Sequence, residues 1–351
     1  MCIRDRGNSL DETWEALVAG KSAIQPITRF NTDEIAFHKG AVVSLSGTPS
    51  LTGALIEKIS EIGPLPADTL TIWTGSKNDV EYIEHGLEQG FPCFPAYNRH
   101  RVAQKCGLTG RGFEVNAACA SATVGLALGA QKIRNGSASH VLVCGADILS
   151  RFVHFGFSAL KALSPSDCRP FDSARDGLCL GEGAFAVFLS SSPPRDNPVR
   201  ITGWSITNDA NHITGPARDG CGLIDAIETA LAKSWHSPAD IEAWCAHGTG
   251  TVYNDAMEMT AMESVFGSRI FPVFSIKGAI GHTLGAAGGI ETAVCVRALR
   301  SSAVPPTAGL SSPESRADGR VSNRKQPFDG RNILTTNSGF GGVNAALVLE
   351  R

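Results

Sequence analysis

The chain has 351 residues, 42% of them hydrophobic and 19% charged, with a formal net charge of −3. That balance supplies a large core and lacks the basic excess of a nucleic-acid binder. No apolar run reaches membrane-spanning length and no signal-peptide pattern opens the sequence, and the ten cysteines include no C-x-x-C pair, so membrane, zinc and thioredoxin-type roles are not expected and the thiols read as reduced in the cytoplasm.

The first six residues, Met1 to Arg6, match no element, so the first strand of the fold is expected to be missing. Ser9 with Glu12 forms a capping-box pattern ahead of a helix over 10–19, which Gly20 ends. Strand signals follow at 41–45, 70–74 and 112–115, with helical patterns at 52–62, 79–89 and 97–106 between them. A long small-residue helix is expected over 120–134. Strands at 141–144 and 184–189 close the first half. The stretch Ser191-Ser192-Pro193-Pro194-Arg195-Asp196-Asn197-Pro198 is the clearest linker and divides the chain into halves at 1–192 and 199–351. The second half reads as strands at 201–207, 243–246, 271–274, 333–336 and 345–349, with helices at 223–233, 255–266 and 286–300. Such alternation predicts an α/β protein with helix-covered sheets. The helices at 120–134 and 286–300 are apolar nearly all round, which places them between layers. Each half ends in a glycine turn and an apolar strand, a hint of internal duplication.

Cys119 lies in Asn116-Ala117-Ala118-Cys119-Ala120-Ser121, where a strand-like stretch turns into the helix over 120–134. A free cysteine is most often a buried, inert hydrophobe. At a helix N-terminus, however, unpaired N–H groups and the positive dipole end favour a thiolate, the reactive form of a cysteine nucleophile. His247, in His247-Gly248-Thr249-Gly250-Thr251, follows the strand at 243–246. His282, in Gly281-His282-Thr283-Leu284-Gly285, precedes the second buried helix. Each histidine taken singly reads as a hydrogen-bonded structural residue. With Cys119, they form a set of chemistry-bearing side chains at strand ends and helix starts, each wrapped in small residues that leave room for a substrate.

These motifs, with Asn254-Asp255, Lys277, Asn337-Ser338-Gly339-Phe340-Gly341-Gly342-Val343-Asn344, Arg169-Pro170-Phe171-Asp172 and Asp209-Ala210-Asn211-His212, resemble the blocks of β-ketoacyl-acyl carrier protein synthases. These are the condensing enzymes of the thiolase superfamily, and the blocks stand here in that family's order from about Asn8 to the C-terminus. The resemblance implies a duplicated, five-layered α-β-α-β-α fold. It also implies a decarboxylative condensation of a cysteine-bound acyl group with malonyl-carrier protein, in fatty acid or specialised polyene or polyketide synthesis.

Under that resemblance Cys119 carries the acyl thioester, and the backbone N–H groups of Cys119 and Phe340 form the oxyanion hole. His247 and His282 hold the enolate through Nε2. Lys277 with Glu291 supports the histidines, and Asp255 and Glu258 organise the site. Thr249 and Thr251 bind the phosphopantetheine amides, and Phe340 gates the acyl pocket. His212 reads as structural. No metal or resident cofactor is implied, since phosphopantetheine arrives on the carrier protein. The set Cys119–His247–His282 resembles the elongating type, because the initiating type carries an asparagine in place of one histidine. The partner implied is an acidic acyl carrier protein, with Arg99, Arg101, Lys105, Lys132 and Arg134 as a candidate docking face, and assembly as a homodimer or as a heterodimer with a related subunit. The chain departs from the family in being short between Phe30 and Arg111 and in lacking a second aromatic residue after Ser338. Two other readings are a non-catalytic chain-length partner, which would normally lack the cysteine, and a cysteine hydrolase, which would need only one histidine.

Overall fold

The computed structural model describes residues 2–3, 9–43, 50–76, 80–89, 98–192, 198–328 and 330–351. The linker at 193–197, the end of the strand expected at 41–45 and most of the first eight residues lie outside them.

Two five-stranded mixed sheets carry the fold. Across the first, the strands lie in the order Cys2–Ile3, Gly183–Ser190, His140–Asp147, Leu70–Thr74, Gly112–Val115. Across the second the order is Arg200–Asn208, Val343–Glu350, Asn332–Gly339, Ala243–Cys245, Val273–Phe274. Numbered by appearance within each sheet, both run 1-5-4-2-3. The 1-5 and 5-4 pairings are antiparallel, and the 4-2 and 2-3 pairings are parallel, in both. The repeat hinted at by the two glycine-turn strands is therefore a repeat of whole-sheet topology. It also corrects one expectation. The first strand is present in short form: Cys2 and Ile3 pair antiparallel with Phe185 and Ala184, covering the start of an edge that would otherwise expose unpaired backbone groups.

Helices Ser121–Arg134 and Ala287–Ser301 lie between the sheets and pack on each other and on strands of both. Their small residues explain the position, since side chains of Ala and Gly size let a helix approach a sheet on two sides at once. A Cβ on Gly288 would stand 1.9 Å from Thr123 Oγ1, so glycine is required where the two helices meet. Leu51–Ser60 and Asn98–Lys105 cover the outer face of the first sheet, and Cys221–Ser234 with Val252–Phe266 cover that of the second. The result is five layers, α-β-α-β-α, with an apolar core on each side of both sheets. Ser9 caps the first helix as its pattern predicts, accepting from the Glu12 N–H at 3.2 Å. Two α-helices among the described residues escaped the periodicity reading: the four-residue Lys277–Ile280, and Arg151–Ala159, whose N-cap Ser150 accepts from the Val153 N–H at 3.2 Å. The aromatic residues of the latter line a cavity as well as a core.

Candidate active site

The strand Gly112–Val115 leads to a turn in which Ala118 takes the left-handed φ of +48°, a conformation unfavourable for any residue with a Cβ. The turn delivers Cys119 two residues before helix Ser121–Arg134 begins. Cys119 is buried, at 5% exposure, yet lines the two cavities described below. Strand Asn332–Gly339 ends against it: a Cβ on Gly339 would come within 3.3 Å of the Cys119 nitrogen and 2.8 Å of the Ala117 oxygen. The backbones that carry the two expected oxyanion N–H groups therefore run side by side. Other buried thiols differ from this setting. Burial holds Cys144, Cys168 and Cys245 well above the usual thiol value and pushes Cys179 up to about 12, so they stay protonated and act as core hydrophobes.

His247 follows the interior strand Ala243–Cys245, and His282 follows the short helix Lys277–Ile280. Both are buried, with ring centroids 5.2 Å apart and planes at 86°. Close backbone approach seats His282. Its N–H donates to the Cys179 carbonyl at 2.7 Å, and its carbonyl accepts from the Gly181 N–H at 3.0 Å. A Cβ on Gly181 would stand 2.1 Å from the Ile280 oxygen, which accounts for the glycine in Gly181-Glu182-Gly183. Glu182 braces the same turn, accepting both Arg29 guanidinium N–H groups at 2.6 Å and the Leu149 N–H at 2.9 Å.

Behind the imidazoles lies a polar cluster, almost wholly buried. The Lys277 ammonium donates to the His247 carbonyl at 2.5 Å, to His247 Nδ1 at 3.3 Å and to Glu291 Oε1, using all three of its N–H bonds. The Asn337 amide donates to Glu291 Oε2 at 2.7 Å and faces His247 Nδ1 at 3.0 Å, while its oxygen pairs with the Thr123 hydroxyl. Because an ionised Glu291 only accepts, the Asn337 NH2 must point toward it and toward Nδ1. Both neighbours of Nδ1 are thus donors. His247 is held with Nδ1 as acceptor and its proton on Nε2. Burial, the Lys277 charge and the His282 ring keep His247 well below the ordinary imidazole value. Burial and Lys277 do the same for His282. Two neutral imidazoles result at pH 7.

Glu258 and Asp255 hold the His247 loop from below. Glu258 accepts from the His247 and Gly248 N–H groups, each at 2.6 Å, and from the Asn254 amide at 2.8 Å. Asp255 accepts from the Thr249 and Gly250 N–H groups at 3.1 and 3.2 Å and from the Phe171 N–H at 2.7 Å. Burial and the Asp255 charge push Glu258 up to about 8 against the pull of those N–H donors, and burial raises Asp255. Asp172 organises the next loop, accepting from the Ser311 and Ser312 N–H groups at 2.7 and 2.8 Å.

Two cavities meet at Cys119. One, of about 430 Å³, is lined by Cys119, His247, His282, Thr249 and Thr251, with the two threonine hydroxyls 2.9 Å apart. His212 lines it too, its Nδ1 accepting from the Thr214 and Gly215 N–H groups at 3.1 Å. The other, of about 1060 Å³, opens on the far side of Cys119. Phe340 and Phe157 line both, their rings stacked 5.6 Å apart, so Phe340 stands at the divide. The Phe340 turn is pinned by the Gly341 N–H to the Ile213 carbonyl at 2.8 Å and by Ser338 Oγ to Asn344 Oδ1 at 2.7 Å. The basic residues expected to dock a partner line neither of these cavities. Arg99 reaches the Gly110 carbonyl, Lys105 pairs with Glu57, and Arg134 lies over Trp204. Among the described residues, no cluster of His, Cys, Asp and Glu could hold a metal ion, and no helix is long and apolar enough to cross a membrane.

The sequence reading drew together Cys119, His247, His282, Lys277, Glu291, Asp255, Glu258, Thr249, Thr251 and Phe340, and the structure places all ten in or directly behind these cavities. It gave no role to Asn337 or Thr123, which set the His247 tautomer. The available signal was an asparagine ending the strand expected at 333–336, where a buried amide needs partners.

Residues 74–193 match the family described as Beta-ketoacyl synthase, N-terminal domain, and residues 199–311 match Beta-ketoacyl synthase, C-terminal domain. The chain is 28% identical to a 3-oxoacyl-[acyl-carrier-protein] synthase 2 of Staphylococcus aureus, over 98% of this chain and 95% of that one. It is 32% identical to a putative polyketide beta-ketoacyl synthase 1 of Streptomyces halstedii, over 95% and 80%. Among solved structures it superposes on the ishigamide ketosynthase/chain length factor with a TM-score of 0.88, at 26% identity over 99% of this chain and 96% of that one. A ketosynthase in complex with its chain length factor from Xenorhabdus doucetiae gives 0.85, also at 26% identity, over 99% and 96%. The chain belongs to the beta-ketoacyl synthase family, the acyltransferase-type condensing enzymes with the duplicated thiolase-like fold.

Proposed function

We propose that this chain is an elongating 3-oxoacyl-[acyl-carrier-protein] synthase, with Cys119 as nucleophile and His247 and His282 as the enolate-holding pair. The observation that carries this reading is the placement of the imidazoles. They line one cavity with Cys119, Lys277 and Asn337 face His247 Nδ1 so that Nε2 carries the proton, and burial with the Lys277 charge holds both rings below the ordinary imidazole value.

Cys119 Sγ attacks the acyl thioester, and the carrier's pantetheine thiol departs with the proton. The backbone N–H groups of Cys119 and Phe340 hold the oxyanion. Malonyl-carrier protein then enters the cavity of Thr249 and Thr251, whose hydroxyls meet the pantetheine amides. Loss of CO2 leaves an enolate whose oxygen accepts from His247 and His282 Nε2–H. A neutral imidazole donates without surrendering its proton, so the carbanion survives to attack the Cys119 thioester. The C–C bond forms, Cys119 leaves as thiolate, and 3-oxoacyl-carrier protein departs. Phosphopantetheine is thus a group carried on the substrate, and the protein itself contributes only side chains and N–H donors.

The Thr249–Thr251 cavity reaches the surface beside Lys161, Val252 and Tyr253, with Arg218 stacked 5.2 Å over Tyr253. An acidic carrier protein meets this mixed apolar and cationic rim. Strand Gly112–Val115 is a sheet edge paired on one side only among the described residues, which supports assembly with a second, related subunit. A labelled-malonyl assay tests the reading: CO2 release coupled to C–C bond formation supports a synthase. Acyl release alone would show a hydrolase, and neither would show a non-catalytic partner.

A further inference from the structure

The larger cavity carries information on which acyl group Cys119 receives. Five phenylalanines line it: Phe30, Phe152, Phe155, Phe157 and Phe340. Two of them, with Gly156 and Leu160, form an i, i+3, i+4, i+8 stripe along the helix Arg151–Ala159 and its cap, which is one face of a helix. That face is apolar but not packed: Phe152 is 47% and Leu160 51% exposed. His154, on the opposite side, is buried in the core. Gly156 sits mid-stripe, and a Cβ there would meet nothing within 4 Å. The helix therefore keeps an open slot where alanine would be the better helix former.

Charged groups in the wall are already engaged. Arg29 is bound to Glu182, and Glu81 accepts from Ser50 Oγ and the Leu51 N–H at 2.9 and 2.8 Å. Glu84 accepts from the Phe152 N–H at 2.5 Å, and Arg151 lies 5.3 Å over the Phe155 ring. What remains for a ligand is the faces of the phenylalanine rings, with Ile148, Leu149, Val153, Leu160 and Leu284 beside them. Flat π faces reward a planar, polarisable chain beyond the area it buries. A conjugated chain also loses fewer rotors on ordering than a saturated one of equal length.

We infer that this cavity selects a rigid, conjugated or aryl-terminated acyl group over a saturated chain of the same length, with Phe152 and Phe155 as selectivity-determining residues and Gly156 as the slot that sets reach. This inference rests on the reading of Cys119 as the acylated residue.

The test is the rate at which the full chain is acylated by N-acetylcysteamine thioesters, read by intact mass and peptide mapping. Acetyl, octanoyl, octa-2,4,6-trienoyl and cinnamoyl donors are compared. The trienoyl and cinnamoyl donors should load Cys119 about fivefold to tenfold faster than octanoyl, the scale of one or two aromatic contacts. Phe152→Leu with Phe155→Leu should bring the trienoyl-to-octanoyl ratio to near one. Gly156→Leu, which improves helix propensity and whose Cβ meets nothing within 4 Å, should lower the trienoyl-to-acetyl ratio at least tenfold. Octanoyl loading as fast as trienoyl, a ratio unmoved by the phenylalanine pair, or a ratio indifferent to Gly156→Leu overturns the inference while leaving Cys119 as acyl carrier. No adduct on Cys119 from any donor, acetyl included, overturns the thioester reading and this inference with it.

Discussion

Replacing Lys277 by methionine removes the cation that closes the polar cluster behind His247. Glu291, 1% exposed, would then be a buried carboxylate with the Asn337 amide as its remaining partner. Breaking a buried ion pair from one side costs about 3–5 kcal/mol, because the surviving charge keeps its desolvation penalty. Adding Glu291→Leu removes that charge and should recover most of the loss. Activity should not follow stability. In the double variant nothing forces the Asn337 amide toward His247 Nδ1, since the Thr123 hydroxyl at its other end pairs equally well with either amide group. The ring is free to carry its proton on Nδ1, and the enolate loses one of its two donors. Losing one oxyanion donor costs about 10²–10³ in rate. Urea unfolding gives the stability, and CO2 release from malonyl-carrier protein gives the rate. A double variant that is restored in stability and also decarboxylates within a few-fold of wild type would refute the tautomer argument. Wild-type stability in Lys277→Met alone would refute the charged pair.

Other expectations follow from the same geometry. Cys119→Ala should abolish condensation yet still decarboxylate malonyl-carrier protein, and that decarboxylation should be flat from about pH 7.5 through the ordinary imidazole value near 6.5, since both histidines are already neutral. An acid limb at about 6.5 would contradict this. Their depressed values also mean that the stability they contribute is complete above about 6.5 and is lost as pH falls from there through the folded-state values. Glu258, raised to about 8, has the opposite sign: its contribution is present below about 4.5 and lost as pH rises through 8. Glu258→Gln should therefore flatten the alkaline decline in a denaturant series, whatever its effect on absolute stability. Gly181→Ala should cost about 1–3 kcal/mol by driving a methyl group into the Ile280 carbonyl, and by shifting His282 should lower decarboxylation as well. Lys161→Glu with Arg218→Glu should raise KM for malonyl-carrier protein about fivefold, with little change for malonyl-N-acetylcysteamine, if the carrier docks on that rim.

Much of this molecule was legible before any coordinates. Strand–helix alternation and the two all-apolar helices foretold layered sheets with helices buried between them, because only alanine- and glycine-rich segments such as Ser121–Arg134 tolerate packing on both sides. Cys119 among alanines, and His247 and His282 beside glycines, stood out because chemistry needs space beside it. What stayed hidden depends on long-range contact. Asn337 and Thr123 are 214 positions apart, and no local pattern reveals that they meet. Helix Arg151–Ala159 is short, and its aromatic residues divide between core and cavity, a division no local pattern reveals. Cys2–Ile3 is a strand only because Ala184 and Phe185 offer it an edge. The basic residues Arg99, Lys105 and Arg134 looked free in sequence but find partners in Gly110, Glu57 and Trp204.

A single-turnover chase tests the central claim most directly. Enzyme preloaded with a labelled acyl group is mixed with malonyl-carrier protein, and both the Cys119 peptide and the carrier-bound product are followed by mass. Wild type should lose the label from Cys119 and gain it in the 3-oxoacyl product, while His247→Ala and His282→Ala should form the acyl-Cys119 adduct but fail to chase it. Label on another residue, or a chase that proceeds at wild-type rate without either imidazole, would contradict the account.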